Sequence, residues 1–131
     1  MTAALAHLKS FLLIFTSASY VVVGVLHFSH EAFFVRMMPE FLPWPVALVW
    51  VSGVFEILGG LGLLIPRTRR LASWGILALL VAVFPANLHM WLHAHEFADI
   101  GTPTDFAIRL PMQAVLAAIA YWVGLPNRVQ K

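Results

Sequence analysis

The chain has 131 residues, of which 61% are hydrophobic and 11% charged. Soluble domains carry about 25% charged residues, and a chain this short cannot hide so much apolar surface in a single core. Composition therefore selects the membrane class. A net charge of +2, with Arg67, Arg69 and Arg70 in one short turn, argues against a nucleic-acid partner. The absence of cysteine excludes disulfides, thiolate metal ligation and thiol redox chemistry within the chain.

Four apolar segments reach the length of about 20 residues needed to cross a bilayer. The first covers about residues 8–28. Its apolar run from Phe11 to Phe28 is longer than the hydrophobic stretch of a signal peptide, so it reads as a retained span. The segment SHEAFFVRMMPEFLPWP follows and reads as interfacial, with a short amphipathic helix and Trp44 at headgroup level. The second span covers about residues 44–65 and stops at Pro66. The tight turn PRTRR leads to the third, about residues 71–92, which makes those two spans an antiparallel hairpin. A polar, acidic connection, HAHEFADIGTPTD, precedes the fourth span, about residues 106–124. The expected fold is an all-α integral membrane four-helix bundle forming one domain over residues 1–131.

Charge orients the bundle. Six of the eight basic residues, Lys9, Arg67, Arg69, Arg70, Arg128 and Lys131, fall on one side, and Arg36 and Arg109 on the other. Five of the six acids, Glu31, Glu40, Glu96, Asp99 and Asp105, share the second side. The positive-inside rule places the basic side and both termini in the cytoplasm. The sixth acid, Glu56, lies about halfway along the second span, where a carboxylate costs several kcal/mol unless protein or water shields it.

Helical spacing sorts the remaining polar and small residues into stripes. These are Thr16, Tyr20, Gly24 and His27 on the first span, and Gly53, Glu56 and Gly60 on the second. The third carries Ala82, Ala86, His89 and His93, and the fourth Arg109, Gln113, Ala117, Ala120 and Gly124. Small stripes are what membrane helices use to approach one another, and the same stripes permit a homodimer. At 1.5 Å per residue, His27, His89, Arg109 and Gln113 fall in the half of the bilayer away from the basic turn, as do Pro85 and Pro111. Glu56, His27, Asn87, His89, Arg109 and Gln113, with Tyr20 beneath, are therefore expected to line a pocket opening toward the acidic side. A satisfied internal network, with Arg109 paired to an acid, is the competing expectation. Asn87 and His89 lie about 200° apart on an ideal helix and cannot both face one cavity without a kink.

Three sharper readings use the same residues. His89 and His93 have i, i+4 spacing for a metal, with His27 or His30 as a third ligand. A haem b between His27 and His89 fits the way bundles hold cofactors. A quinone from the lipid could meet Glu56 and a histidine, each able to move a proton. None makes a complete catalytic set, so enzyme activity stays open. Four helices without a clear inverted repeat are few for a transporter.

The segments GVLHF (24–28), MPEFLPWP (38–45), SGVFEILGGLGLLIP (52–66), VFPANLHMW (83–91) and RLPMQAVL (109–116) together resemble the DoxX family over nearly the whole chain. That resemblance implies a small four-helix protein of the bacterial inner membrane. It also implies association with quinone-linked oxidoreductases or with oxidative-stress complexes, and places His27, Glu56, Asn87, His89, Arg109 and Gln113 in recurring motifs without assigning them roles. The resulting expectation is an accessory protein that binds a small ligand or a membrane or periplasmic protein partner. The alternative is a component of a quinone- or haem-linked membrane oxidoreductase.

Overall fold

A computed structural model describes residues 2–126. Arg128 and Lys131, used above for orientation, lie outside the described residues. Five α-helices form: α1 (Ala3–Ser29), α2 (Glu31–Arg36), α3 (Pro45–Leu64), α4 (Arg69–Leu92) and α5 (Pro103–Gly124), with one 3₁₀ turn at Ala94–Phe97. The helices α1, α3, α4 and α5 are long and apolar enough to span a membrane. The protein is a multi-pass membrane protein with an all-α four-helix bundle.

Local chemistry sets the boundaries. The Thr2 side chain accepts from Leu5 N–H and opens α1. At the start of α3, Pro45 occupies the first turn behind Trp44, whose φ of 50° puts it in the left-handed region. Thr102 and Asp105 form a reciprocal capping box at α5, again with proline in the first turn. The turn after α3 closes on itself: Thr68 Oγ1 donates to Gly62 O at 2.9 Å and Arg69 Nε to Leu63 O at 2.7 Å. Carbonyls left open at the helix end thereby gain donors, and a cation sits at the negative pole of α3. Pro85 and Pro111 lie within continuous α4 and α5.

The spans pack in a ring. The α1–α3, α3–α4 and α4–α5 seams are extensive, and the α1–α5 seam that closes the ring is the sparsest. Glycine explains the tightest seam. A Cβ on Gly24 would lie 2.8 Å from the Gly53 carbonyl oxygen, and one on Gly53 would lie 2.8 Å from His27 Cβ. One on Gly60 would lie 2.7 Å from the Ser17 carbonyl oxygen. Backbone meets backbone there, as small residues allow between membrane helices. The Ser17 hydroxyl also donates to Gly60 O at 2.5 Å, and its counterpart Ser73 donates to Ala120 O across α4–α5 at 2.7 Å.

Apolar packing is concentrated at the two ends. At the end carrying Arg67–Arg70, Leu63, Ile76, Ala120 and Val123 are fully buried, and Lys9 Nζ donates to Leu125 O at 2.6 Å, tying the start of α1 to the end of α5. At the acidic end Met90, Ala94, Phe97 and Phe106 form a second cluster beneath Met37 and Ile100. Large side chains such as Phe11, Phe15, Phe55, Trp74, Val81 and Val115 point outward, as lipid-facing residues do.

The glycine seam gives a first test. Gly53→Val should destabilise the bundle by about 1–3 kcal/mol, because the neighbour in the way is α1 backbone and cannot yield. Gly75, whose Cβ would meet nothing within 4 Å, should accept alanine without loss. Thermal unfolding of both variants in the same detergent reads the contrast.

Candidate ligand site

Between the two apolar ends lies a polar chamber. Its larger part, a cavity of about 400 Å³, is lined by Tyr20 on α1, Glu56 on α3, Asn87 on α4, and Arg109 and Gln113 on α5, with apolar side chains between. A second cavity of about 240 Å³ lies toward the acidic end and adds His27 and Ser52 under Phe34, Met37 and Met38. Val23, Glu56, Val83, Asn87 and Arg109 line both, so the two share walls.

Glu56 and His27 are the buried pair at this boundary, each with a side chain 9% exposed. Gly53 and Gly60, one turn either side of Glu56, let α3 press against α1 and keep the carboxylate from the lipid. His27 Nδ1 is 3.0 Å from Glu56 Oε2 and 2.8 Å from Val23 O. A carbonyl can only accept, so Nδ1 carries the proton and directs it to Val23. Glu56 Oε2 is thus close to a nitrogen yet has no aligned donor, and it is buried without a hydrogen-bond partner. The close approach is therefore an electrostatic contact rather than a full hydrogen bond. The His27 ring stacks on Phe34 of α2, centroids 3.8 Å apart.

Gln113 repeats the pattern from α5. Its Nε2 donates to Leu80 O on α4 at 3.1 Å, and its Oε1 is buried without a partner. Arg109 is half-buried, with its guanidinium 5.6 Å from the Phe106 ring centroid and in contact with Met90 Sδ. Among the described residues no carboxylate comes within 4 Å of it, which departs from the acid pairing of the internal-network expectation.

His89 is a correction to the expected constellation. Asn87 lines the chamber, whereas His89 lines a separate outer cleft with His93, Glu96, Pro85 and Pro39–Phe41. The interior face of α4 runs through Ser73, Ile76, Leu79, Leu80, Val83, Asn87 and Met90. The stripe Ala82–Ala86–His89–His93 is broken accordingly: Ala82 is exposed, Ala86 lines the inner cavity, and the two half-buried histidines line the outer cleft, His89 edge-on to the buried Phe97 ring. His27 and His89 therefore line different cavities. His89 and His93 stack with centroids 4.3 Å apart, and His93 Nδ1 bonds to His89 O, which removes one ligand atom. His27 does not join them, His30 is exposed beside Ser29, and no three metal-ligating groups converge among the described residues.

Helix α2 roofs the inner cavity and is tied on three sides. Phe34 stacks on His27, Glu31 accepts from Trp50 Nε1, and Arg36 forms a bidentate pair with Asp99, 2.7 Å for each bond, while also donating to Glu96 O. No local pattern marks this cross-loop pair, because its partners are 63 residues apart.

Fold and site together define a membrane bundle that encloses a carboxylate and unpaired polar groups between two apolar plugs. The chain belongs to the family described as Domain of unknown function (DUF8561), whose model matches residues 16–124. No curated protein and no solved structure matches it.

The roof provides a second test. The hydrogen bonds from Arg36 hold the Asp99 carboxyl below its usual range. The pair's contribution is then complete above the ordinary carboxylate pKa of about 3.9 and is lost as pH falls through the lowered value. Asp99→Asn should speed hydrogen exchange of residues 31–36 at neutral pH. In the unaltered protein the same residues should exchange faster, relative to α3, only at strongly acid pH.

Proposed function

We propose that the protein is an accessory component of a bacterial cytoplasmic membrane that binds a small amphiphilic ligand in the chamber between Glu56 and Gln113. One observation carries the reading: two side chains that line the same cavity, Glu56 and Gln113, each hold a buried oxygen, Oε2 and Oε1, with no hydrogen-bond partner. Each such group costs about 1–3 kcal/mol, and a complementary ligand would recover it. The family-like segments GVLHF, SGVFEILGGLGLLIP, VFPANLHMW and RLPMQAVL contribute His27, Glu56, Asn87, Arg109 and Gln113 to the chamber, which supports a DoxX-like role. By the positive-inside rule, Lys9 and Arg67–Arg70 face the cytoplasm and α2 faces the opposite compartment.

A second reading, a quinol-linked oxidoreductase component, is favoured by the approach of His27 Nδ1 to Glu56 Oε2 at 3.0 Å beside a cavity shared with both spans and lipid-facing residues. An acid and an imidazole in contact are a short proton path.

Mass spectrometry of molecules retained by purified protein distinguishes the two. The unaltered protein should retain a small amphiphile, and Glu56→Leu should lower its occupancy about tenfold, as loss of one buried hydrogen bond implies. A quinone as the retained molecule would favour the second reading. Turnover of a substrate by the protein alone, abolished in Glu56→Gln, would overturn the accessory role.

A further inference from the structure

We infer that the ligand is a neutral, single-chain amphiphile with a hydrogen-bond-donating head, and that it reaches the chamber sideways through the gap between α1 and α5. The inference rests on the ligand-binding reading above and specifies its chemistry and route.

The route follows from where packing is missing. Helix α2, held by Phe34, Glu31 and Arg36, lies over the outer end. The basic end is closed by Leu63, Ile76, Ala120 and Val123, with Leu12, Leu13 and Ile119 packed against them. Between these plugs the α1–α5 seam is the sparsest of the ring. Its edges are Val23 on α1, 37% exposed, and Met112 and Leu116 on α5, 46% and 37% exposed, and all three also line the chamber. Residues that line a cavity and remain open to the lipid side mark its mouth. An apolar chain can lie across these residues without leaving hydrocarbon, while a polar head passes inward.

The head follows from the polarity of the buried atoms. Glu56 Oε2 and Gln113 Oε1 are both oxygens without donors. The Gln113 amide cannot simply be turned round, because its Oε1 would then meet the Leu80 carbonyl, acceptor against acceptor. A hydroxyl satisfies either oxygen, whereas an ether oxygen satisfies neither. An anionic head would bring like polarity against both. Among the described residues Arg109 is the one Arg or Lys lining the chamber, and its guanidinium lies beside the Phe106 ring and Met90 Sδ.

The test uses the full chain in phosphatidylcholine nanodiscs, whose headgroup offers no hydrogen-bond donor. The thermal unfolding midpoint is followed as 1-decanol, decyl methyl ether or decanoic acid is added at matched mole fractions in the bilayer. Decanol should reach half its stabilising effect at about a tenfold lower mole fraction than the ether, as one recovered buried hydrogen bond implies. Glu56→Leu should erase that advantage. Leu116→Trp narrows the gap between α1 and α5 and should abolish the response, read as the shift from that variant's own midpoint without additive. Equal responses to alcohol and ether, or a stronger response to decanoic acid, overturn the donor head and leave ligand binding standing. An undiminished response in Leu116→Trp overturns the lateral route. Failure of all three compounds to stabilise the unaltered protein removes both the inference and the reading beneath it.

Discussion

A carboxyl group halfway along a membrane helix must be kept from hydrocarbon, and the arrangement of this bundle follows from how that is done for Glu56. Helix α3 turns the residue inward, and Gly53 and Gly60 bring α1 close enough to cover it. The covering residues on α1 are Ser17, Gly24 and His27, all buried. Substituting a larger side chain for Gly53 would meet His27 itself, so the seam that shields the carboxyl also places the imidazole beside it. Close packing and site geometry are here one constraint.

That constraint leaves the opposite side of the ring under-packed. Ordinary apolar contacts complete the two ends, and the Ser73–Ala120 bond joins α4 to α5. The central part of α1 and α5 faces polar side chains that cannot fill space as Leu or Phe would. Interhelical hydrogen bonds in membranes are worth only about 0.6 kcal/mol on average, so they do not draw such a seam shut. The sparse α1–α5 contact is what results. The glycines do not compensate by recruiting a second copy: Gly24, Gly53, Gly59, Gly60, Gly62 and Gly124 all meet neighbours within the chain.

The four spans were legible because length and hydropathy alone decide them, and the observed bounds differ from the expected ones by at most five residues, at the start of α1, Ala3 against residue 8. Which face of α4 turns inward was much less legible. In water an amphipathic helix marks its buried face by contrast, but a lipid-facing surface is as apolar as the core, and that contrast is absent. His89 and His93 do not mark the face that lines the chamber: they line the outer cleft, while Asn87, two residues earlier, lines the chamber. Ser17, Ser73 and Lys9 were missed for a related reason. Each is buried through a bond to a carbonyl on another helix, and nothing local in the sequence marks that partner. Glu56 was legible because a charge at mid-span has few alternatives to burial.

The polarity of the chamber comes from backbone rather than from the side chains' own chemistry. Histidine and glutamine can each offer either a donor or an acceptor. In both cases a carbonyl of a neighbouring turn decides: Val23 O takes the Nδ1 proton of His27, and Leu80 O takes the Nε2 proton of Gln113. Leu80 lies next to Val81, whose carbonyl loses its helical donor to Pro85, so Gln113 brings a donor to the part of α4 where donors are scarce. Once those two protons are committed to carbonyls, Glu56 Oε2 and Gln113 Oε1 are left as buried acceptors on side chains that line the cavity. Turning the Gln113 amide round would set its Oε1 against Leu80 O, acceptor against acceptor. The unsatisfied Gln113 Oε1 is therefore a property of how α5 pairs with α4.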